Sequence, residues 1–159
     1  MITLPAAAEE QRDMEFNIGV AVLAMPDSSA RAQFDGETLV VSSAKKEIHR
    51  EKLSKTDIAE IRNILSSAKK EEWSAYYFNI GVLDGSVIRF TAKHGDRNLD
   101  FEGWNGAPPG FHALIALINR KCGKEVLHIA DEKTLLQANR FRDMAEFEEH
   151  VRNMANKND

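Results

Sequence analysis

The side chains with chemistry to offer cluster in one stretch: His94, Asp96, Glu102, Trp104 and His112. A histidine titrates near neutrality, so His94 beside Asp96 is a candidate acid–base pair. Glu102 or His112 would complete such a centre, or the ligand set of a metal. A simpler reading exists. His94-Gly95-Asp96 carries turn chemistry, with glycine and aspartate suited to reversing a chain. The five histidines form no HxH or HxxxH pair, so a metal site would have to draw on separate elements, and we expect neither metal nor cofactor. Asp100 and Glu102 lie two apart, which on a strand puts both on the side of Trp104. Acids beside an aromatic suit a sugar or a cation. They equally suit the solvent face of a sheet whose other side, Leu99 and Phe101, is core.

Other motifs add nothing to an enzyme reading. There is no phosphate-loop pattern, no GxGxxG, no GxSxG elbow and no HExxH. Cys122 is the only cysteine, which rules out an intrachain disulfide and a multi-cysteine zinc site. A catalytic thiol needs a neighbouring base, and the local sequence supplies none.

The chain has 159 residues, 43% hydrophobic and 29% charged, with net charge −4. That length suits one domain with a real core. The acidic balance disfavours general nucleic-acid binding, which needs a basic field. No apolar run nears the ~20 residues of a membrane span. The start, MITLPAAAEEQRD, lacks the basic and apolar regions of a signal peptide, so a cytoplasmic location is expected. "PAAAEEQ" resembles a cleavage site, which would make the chain the end of a longer precursor, periplasmic or secreted.

The elements follow from periodicity. Residues 1–15 read as a polar lead-in, a short Ala/Glu helix or disorder, before a single domain over 16–159. Phe16, Ile18, Val20 and Val22 alternate as a strand that Pro26-Asp27-Ser28 closes. Asp35-Gly36 turns a hairpin whose second strand runs from Thr38 through Ile48. Ser54 and Asp57 have capping-box spacing, and Ile58, Ile61, Leu65 and Ala68 mark the buried stripe of the helix they start. A second hairpin over Trp73–Phe90 turns at Asp84-Gly85, and Leu99 to Trp104 extends it into a meander. Asn105-Gly106-Ala107-Pro108-Pro109-Gly110 leaves the sheet, since prolines remove ladder donors. We read it as a rigid corner, packed by Trp104 and Phe111, rather than an anion cradle. Phe111, Leu114, Ile115, Leu117 and Ile118 then form a helix that Gly123 stops. A short strand at Val126–Ile129, a helix over Leu135–Phe141 and a last helix capped at Asp143, burying Met144, Phe147, Val151 and Met154, complete the chain. The expected class is α+β: an antiparallel sheet of about five strands, two Asp-Gly hairpins extended into a meander, helices packed on one face, and a helical tail over 131–156.

Hairpin, capped helix, meander about an Asp-Gly turn, then a Pro/Gly corner and helix: over residues 16–122 this order resembles small bacterial immunity or inhibitor-type α+β proteins. The helical tail departs from their shorter members. The resemblance implies a non-catalytic protein that binds another protein, neutralising a toxin or inhibiting an enzyme. Tyr and Trp are favoured interface anchors, so the expected contact residues are Trp104, Tyr77, Trp73, Asp100 and Glu102, with a homodimer through the sheet face or the last helix as a further possibility. The alternative is a small-molecule or hydrolytic site at His94, Asp96, Glu102 and Trp104.

Overall fold

A computed structural model of the chain describes residues 13–23, 25–79, 81 and 85–157. The fold is α+β, a mixed sheet of eight strands in the order β4-β3-β2-β1-β6-β7-β5-β8. The strands are β1 (Met14–Val22), β2 (Met25–Phe34), β3 (Thr38–Ser43), β4 (Lys46–Lys52), β5 (Tyr76–Phe78), β6 (Ser86–His94), β7 (Arg97–Trp104) and β8 (Asn139–Phe141). Among the described residues the helices are α1 (Lys55–Ser67), α2 (Lys70–Trp73), α3 (Phe111–Cys122), α4 (Glu132–Leu136) and α5 (Met144–Asn156).

Alternation decides which side of the sheet is core. Phe16, Ile18 and Val20 of β1, Ile88, Phe90 and Ala92 of β6, and Leu99 and Phe101 of β7 are buried, and their neighbours along each strand are not. They join Ile58, Ile61 and Leu65 of α1 and Leu114, Ile115, Leu117 and Ile118 of α3 in one cluster, so these helices seal that side. The cap of α1 is as expected: the Asp57 N–H donates to Ser54 Oγ at 3.1 Å. Its other end is closed from the sheet. Arg97 donates to the carbonyls of Leu65 (3.0 Å) and Ala68, placing a cation where the helix dipole is negative.

Several expectations need correction. β1 begins at Met14, inside the supposed lead-in, whose residues 1–12 lie outside the described ones. β2 runs through Pro26-Asp27-Ser28. Val22 pairs with Met25 while Val20 pairs with Ala30, so residues 26–29 bulge out of the ladder, where a proline costs no hydrogen bond. The strand from Thr38 does not continue through Ile48. It reverses at Ala44-Lys45, both at positive φ (50° and 67°), with neither Asn nor Gly to announce the turn.

The largest departure is β5. It does not pair with β6 as a hairpin; it lies parallel to β7 and antiparallel to β8. Asp84, the supposed turn, lies outside the described residues. Val126–Ile129 is irregular, its amides at Val126 and Leu127 satisfied by Asn119 Oδ1 (3.0 and 2.9 Å). Leu135–Phe141 is not one helix: α4 ends at Leu136 and β8 follows. The tail is therefore helix, strand, helix.

The Gly/Pro corner makes β5's position attainable. A Cβ on Gly103 would lie 1.8 Å from the Gly106 carbonyl oxygen, and one on Gly106 would lie 2.3 Å from the Ala138 Cβ and 2.8 Å from that of Tyr77. Only glycine lets these backbones approach so closely. The aromatic across the corner is Trp73, not Trp104. Its indole N–H donates to the Pro109 carbonyl at 3.2 Å and its ring packs edge-on against Phe90, Phe101 and Phe111.

Candidate functional site

The expected contact residues divide between the two sides of the sheet. Trp73 is 1% exposed and Tyr77 5%, both inside the core under the helices. The Tyr77 hydroxyl donates to the Glu72 carbonyl at 2.7 Å, and burial pushes its pKa well above the usual tyrosine value. The expectation that these two aromatics face a partner is thus corrected: each has the core phase of its segment. Trp104, Asp100 and Glu102 lie on the outward side, Asp100 exposed and the other two half-buried. The Trp104 ring contacts Phe78 (6.4 Å), and its indole N–H points to Glu102 Oε1 at 3.4 Å.

His94, Asp96, Glu102 and Trp104 do not assemble. His94 pairs with Arg97 at the start of β7, and Glu102 lies five residues on, about 16 Å along the strand. The faces also differ. His94 shares the phase of Phe90 and Ala92, toward the helices, whereas Glu102 and Trp104 point away from them. His112, on the first turn of α3, belongs to the helix layer as well. Burial, with Arg97 and Arg62 nearby, holds His94 below the usual histidine range. Among the described residues no group of three or more His, Cys, Asp or Glu side chains is placed to hold a metal ion. Cys122 is half-buried at the end of α3, its thiol pushed up by burial.

What the outward side holds instead is a groove of about 700 Å³. Its floor is small: Gly19 and Ala21 of β1, Ser29 of β2 and Ser42 of β3. Among the side chains described, its charged lining is Arg31, Lys45 and Arg89, with no carboxylate, and Trp104 also lines it. Register explains the arrangement. Gly19 pairs with Arg31 on one side and Arg89 on the other, so two arginines flank one glycine in a single cross-strand row. Ser42 and Glu102 continue that row outward. Arg89 Nε lies 3.9 Å from Glu102 Oε1, with the Arg89 side chain 79% exposed, so solvent weakens the pair. Among the side chains described, no carboxylate lies within ion-pair distance of Arg31 or Lys45.

Beyond Trp104 the outward side is covered by the tail. Tyr76 and Phe78 share the outward phase of Glu102 and Trp104, their partners on β7. Phe147 of α5 packs on both rings (centroids 5.0 and 4.9 Å) and on Phe141 (5.3 Å). Helix α5 thus sits on the side opposite α1 and α3 and covers only the β5–β8 end. Its expected buried stripe is mostly exposed: Met144 43%, Val151 43% and Met154 39%. The stripe has the right spacing but no described partner beyond the sheet's edge.

Arg31, Arg89 and Gly19 were not singled out by sequence reasoning, and Lys45 reads there only as part of a solvated basic pair with Lys46. Each occupies the outward phase of a strand or a turn, so alternation marks it as solvent-facing. Only the pairing of β1 with both β2 and β6 brings them together.

Among the described residues no helix is long and apolar enough to cross a membrane. Comparison with protein-family models, with curated protein sequences and with solved structures returns no match.

Proposed function

We propose that the protein is a non-catalytic binding module that masks another protein through the outward side of its sheet, in the manner of a toxin-neutralising or enzyme-inhibiting protein. One observation carries this reading. Among the described residues, helices cover one side of the sheet from β3 to β7, while nothing covers the other side across β2, β1, β6 and most of β7, where it is shaped into a groove. Antiparallel sheets tolerate one solvated face. A solvated face usually carries long charged chains throughout. Here small residues open a hollow beside a half-buried tryptophan. Tryptophan and arginine are the anchors most enriched in protein interfaces. The competing acid–base reading gains no support from His94 and Glu102 on opposite faces.

The test is calorimetry against the partner recovered from the source organism by affinity capture and then purified. Trp104→Ala and Thr91→Glu, both on the outward side, weaken the complex, and His94→Ala leaves it unchanged. A partner indifferent to both outward substitutions overturns the reading.

The exposed stripe on α5 favours a second contact, with another copy of the chain. Met144, Val151 and Met154, exposed beside the Phe147 that packs on the sheet, lie at i, i+7 and i+10, a heptad spacing that a second α5 complements. Sedimentation equilibrium should find a dimer that Val151→Glu dissociates. A monomer at every concentration removes this contact and leaves the sheet-face reading standing.

A further inference from the structure

Gly19 has no structural reason to be glycine. It sits mid-strand with regular partners on both sides, and its φ is not positive. A Cβ built there meets nothing within 4 Å. Glycine in a strand interior loses packing and conformational entropy, and it recurs where a ligand or another backbone approaches closely. The bulge in β2 does not account for it, because that bulge begins beyond the Val20–Ala30 pair. A second costly choice stands at the groove's edge. Lys45 holds φ +67° in a two-residue hairpin turn, a place for glycine. Its side chain lines the same groove. Local rules broken without a packing gain mark functional positions.

Charge identifies what the hollow suits. Arg31 and Arg89 stand on either side of Gly19, two strand spacings or about 10 Å apart at the backbone. Lys45 adds a third cation, and among the side chains described no carboxylate lines the groove, the nearest being Glu102 at its edge, 3.9 Å from Arg89. Guanidinium groups take carboxylates in two-pronged hydrogen bonds. In a chain of net charge −4, three cations around one hollow are a local reversal of sign. We propose that this saddle seats an extended acidic segment of the partner, its backbone lying over Gly19 and carboxylates at alternate positions reaching Arg31 and Arg89. The proposal rests on the sheet-face reading and narrows it to one patch and one chemistry.

The full chain is titrated with a capped decapeptide of alternating glutamate and serine, following Trp104 fluorescence, with Trp104→Phe as the signal control. The expected result is binding that weakens as salt rises. Arg31→Gln and Arg89→Gln each weaken it about tenfold, as loss of a charge-assisted hydrogen bond implies. Gly19→Val abolishes it while circular dichroism and melting show an intact fold. That variant separates a filled seat from a lost charge. The proposal is overturned if no complex forms at low salt, or if Gly19→Val binds as well as the wild type. It is equally overturned if a lysine–serine decapeptide or an oligothymidylate binds as tightly. A purified partner weakened by Trp104→Ala but indifferent to Arg31→Gln and Arg89→Gln overturns only this inference. A partner indifferent to every outward substitution overturns the reading beneath it.

Discussion

Replacing Gly19 by valine should make the protein more stable, and the size of the gain can be worked out. The position lies in the middle of β1, paired on both sides, with open space where a side chain would stand. Valine suits a pleated strand and stiffens the unfolded chain, worth about 0.5–1 kcal/mol relative to glycine. For a domain of this size that raises the melting temperature by about 1–4 °C. Gly103→Ala, two strands over on β7, should do the reverse. Its Cβ would lie 1.8 Å from the backbone oxygen of Gly106, which cannot swing aside like a side chain. Forcing the corner open should cost about 1–3 kcal/mol or more. Urea unfolding followed by the fluorescence of Trp73, buried against Phe90, measures both variants. The midpoint should move up for Gly19→Val and down for Gly103→Ala at unchanged slope. A Gly19→Val protein less stable than the wild type by more than about 0.5 kcal/mol would refute the reasoning. It would mean that Gly19 serves the fold, and so is no sign of a vacant seat.

Three further outcomes follow from other contacts. Arg97→Ala strips two carbonyls at the end of α1 of their guanidinium donor and should cost about 1.5–3 kcal/mol by thermal unfolding; a neutral result would show that water replaces it. Lys45→Gly relieves a positive φ and should stabilise by about 1 kcal/mol in the same assay, while weakening the acidic decapeptide complex. Lys121 Nζ lies 2.9 Å from both Asp57 Oδ2 and Glu51 Oε2. Its hydrogen bond holds the Asp57 carboxyl below the ordinary 3.8, and Asp57 in turn holds the ammonium above 10.5. A depressed carboxyl stabilises above its unfolded value, and that share is lost as pH falls through the folded one. A raised ammonium stabilises below its unfolded value and loses its share as pH rises through the folded one. Wild type should therefore melt above Lys121→Met at neutral pH, with the two curves converging at the acid and alkaline limits. A constant gap at all pH values would assign the difference to packing.

Local chemistry was legible where it is self-contained. The Ser54 cap, the Asp35-Gly36 turn with Asp35 Oδ1 accepting from Glu37 and Thr38, and the Gly123 stop of α3 each depend on a few neighbouring residues. The alternation of β1, β6 and β7 also fixed their buried sides. Pairing was less legible. Tyr76–Phe78 reads as the first arm of a hairpin, yet it crosses to the far side of β7, because Gly103 and Gly106 admit it there and β1 already occupies the near edge of β6. The Ala44-Lys45 turn left no trace, since neither residue prefers the backbone it holds. Of the expected contact residues, Trp104, Asp100 and Glu102 were placed correctly on the outward side by counting in twos. Trp73 and Tyr77 were misplaced because aromatic character alone does not say which layer a ring joins. The groove was invisible for a related reason: its residues come from β1, β2, β3, β6, the end of β7 and the turn after β3, and only register unites them.

The most direct measurement is a chemical-shift map of the labelled protein bound to its purified partner. The account predicts that shifts concentrate at Asn17, Gly19, Arg31, Arg89, Thr91 and the Trp104 indole, while Asn63 and Arg120 on the helix layer stay where they were. Shifts gathered on α1 and α3, with the bare side of the sheet unmoved, would contradict it.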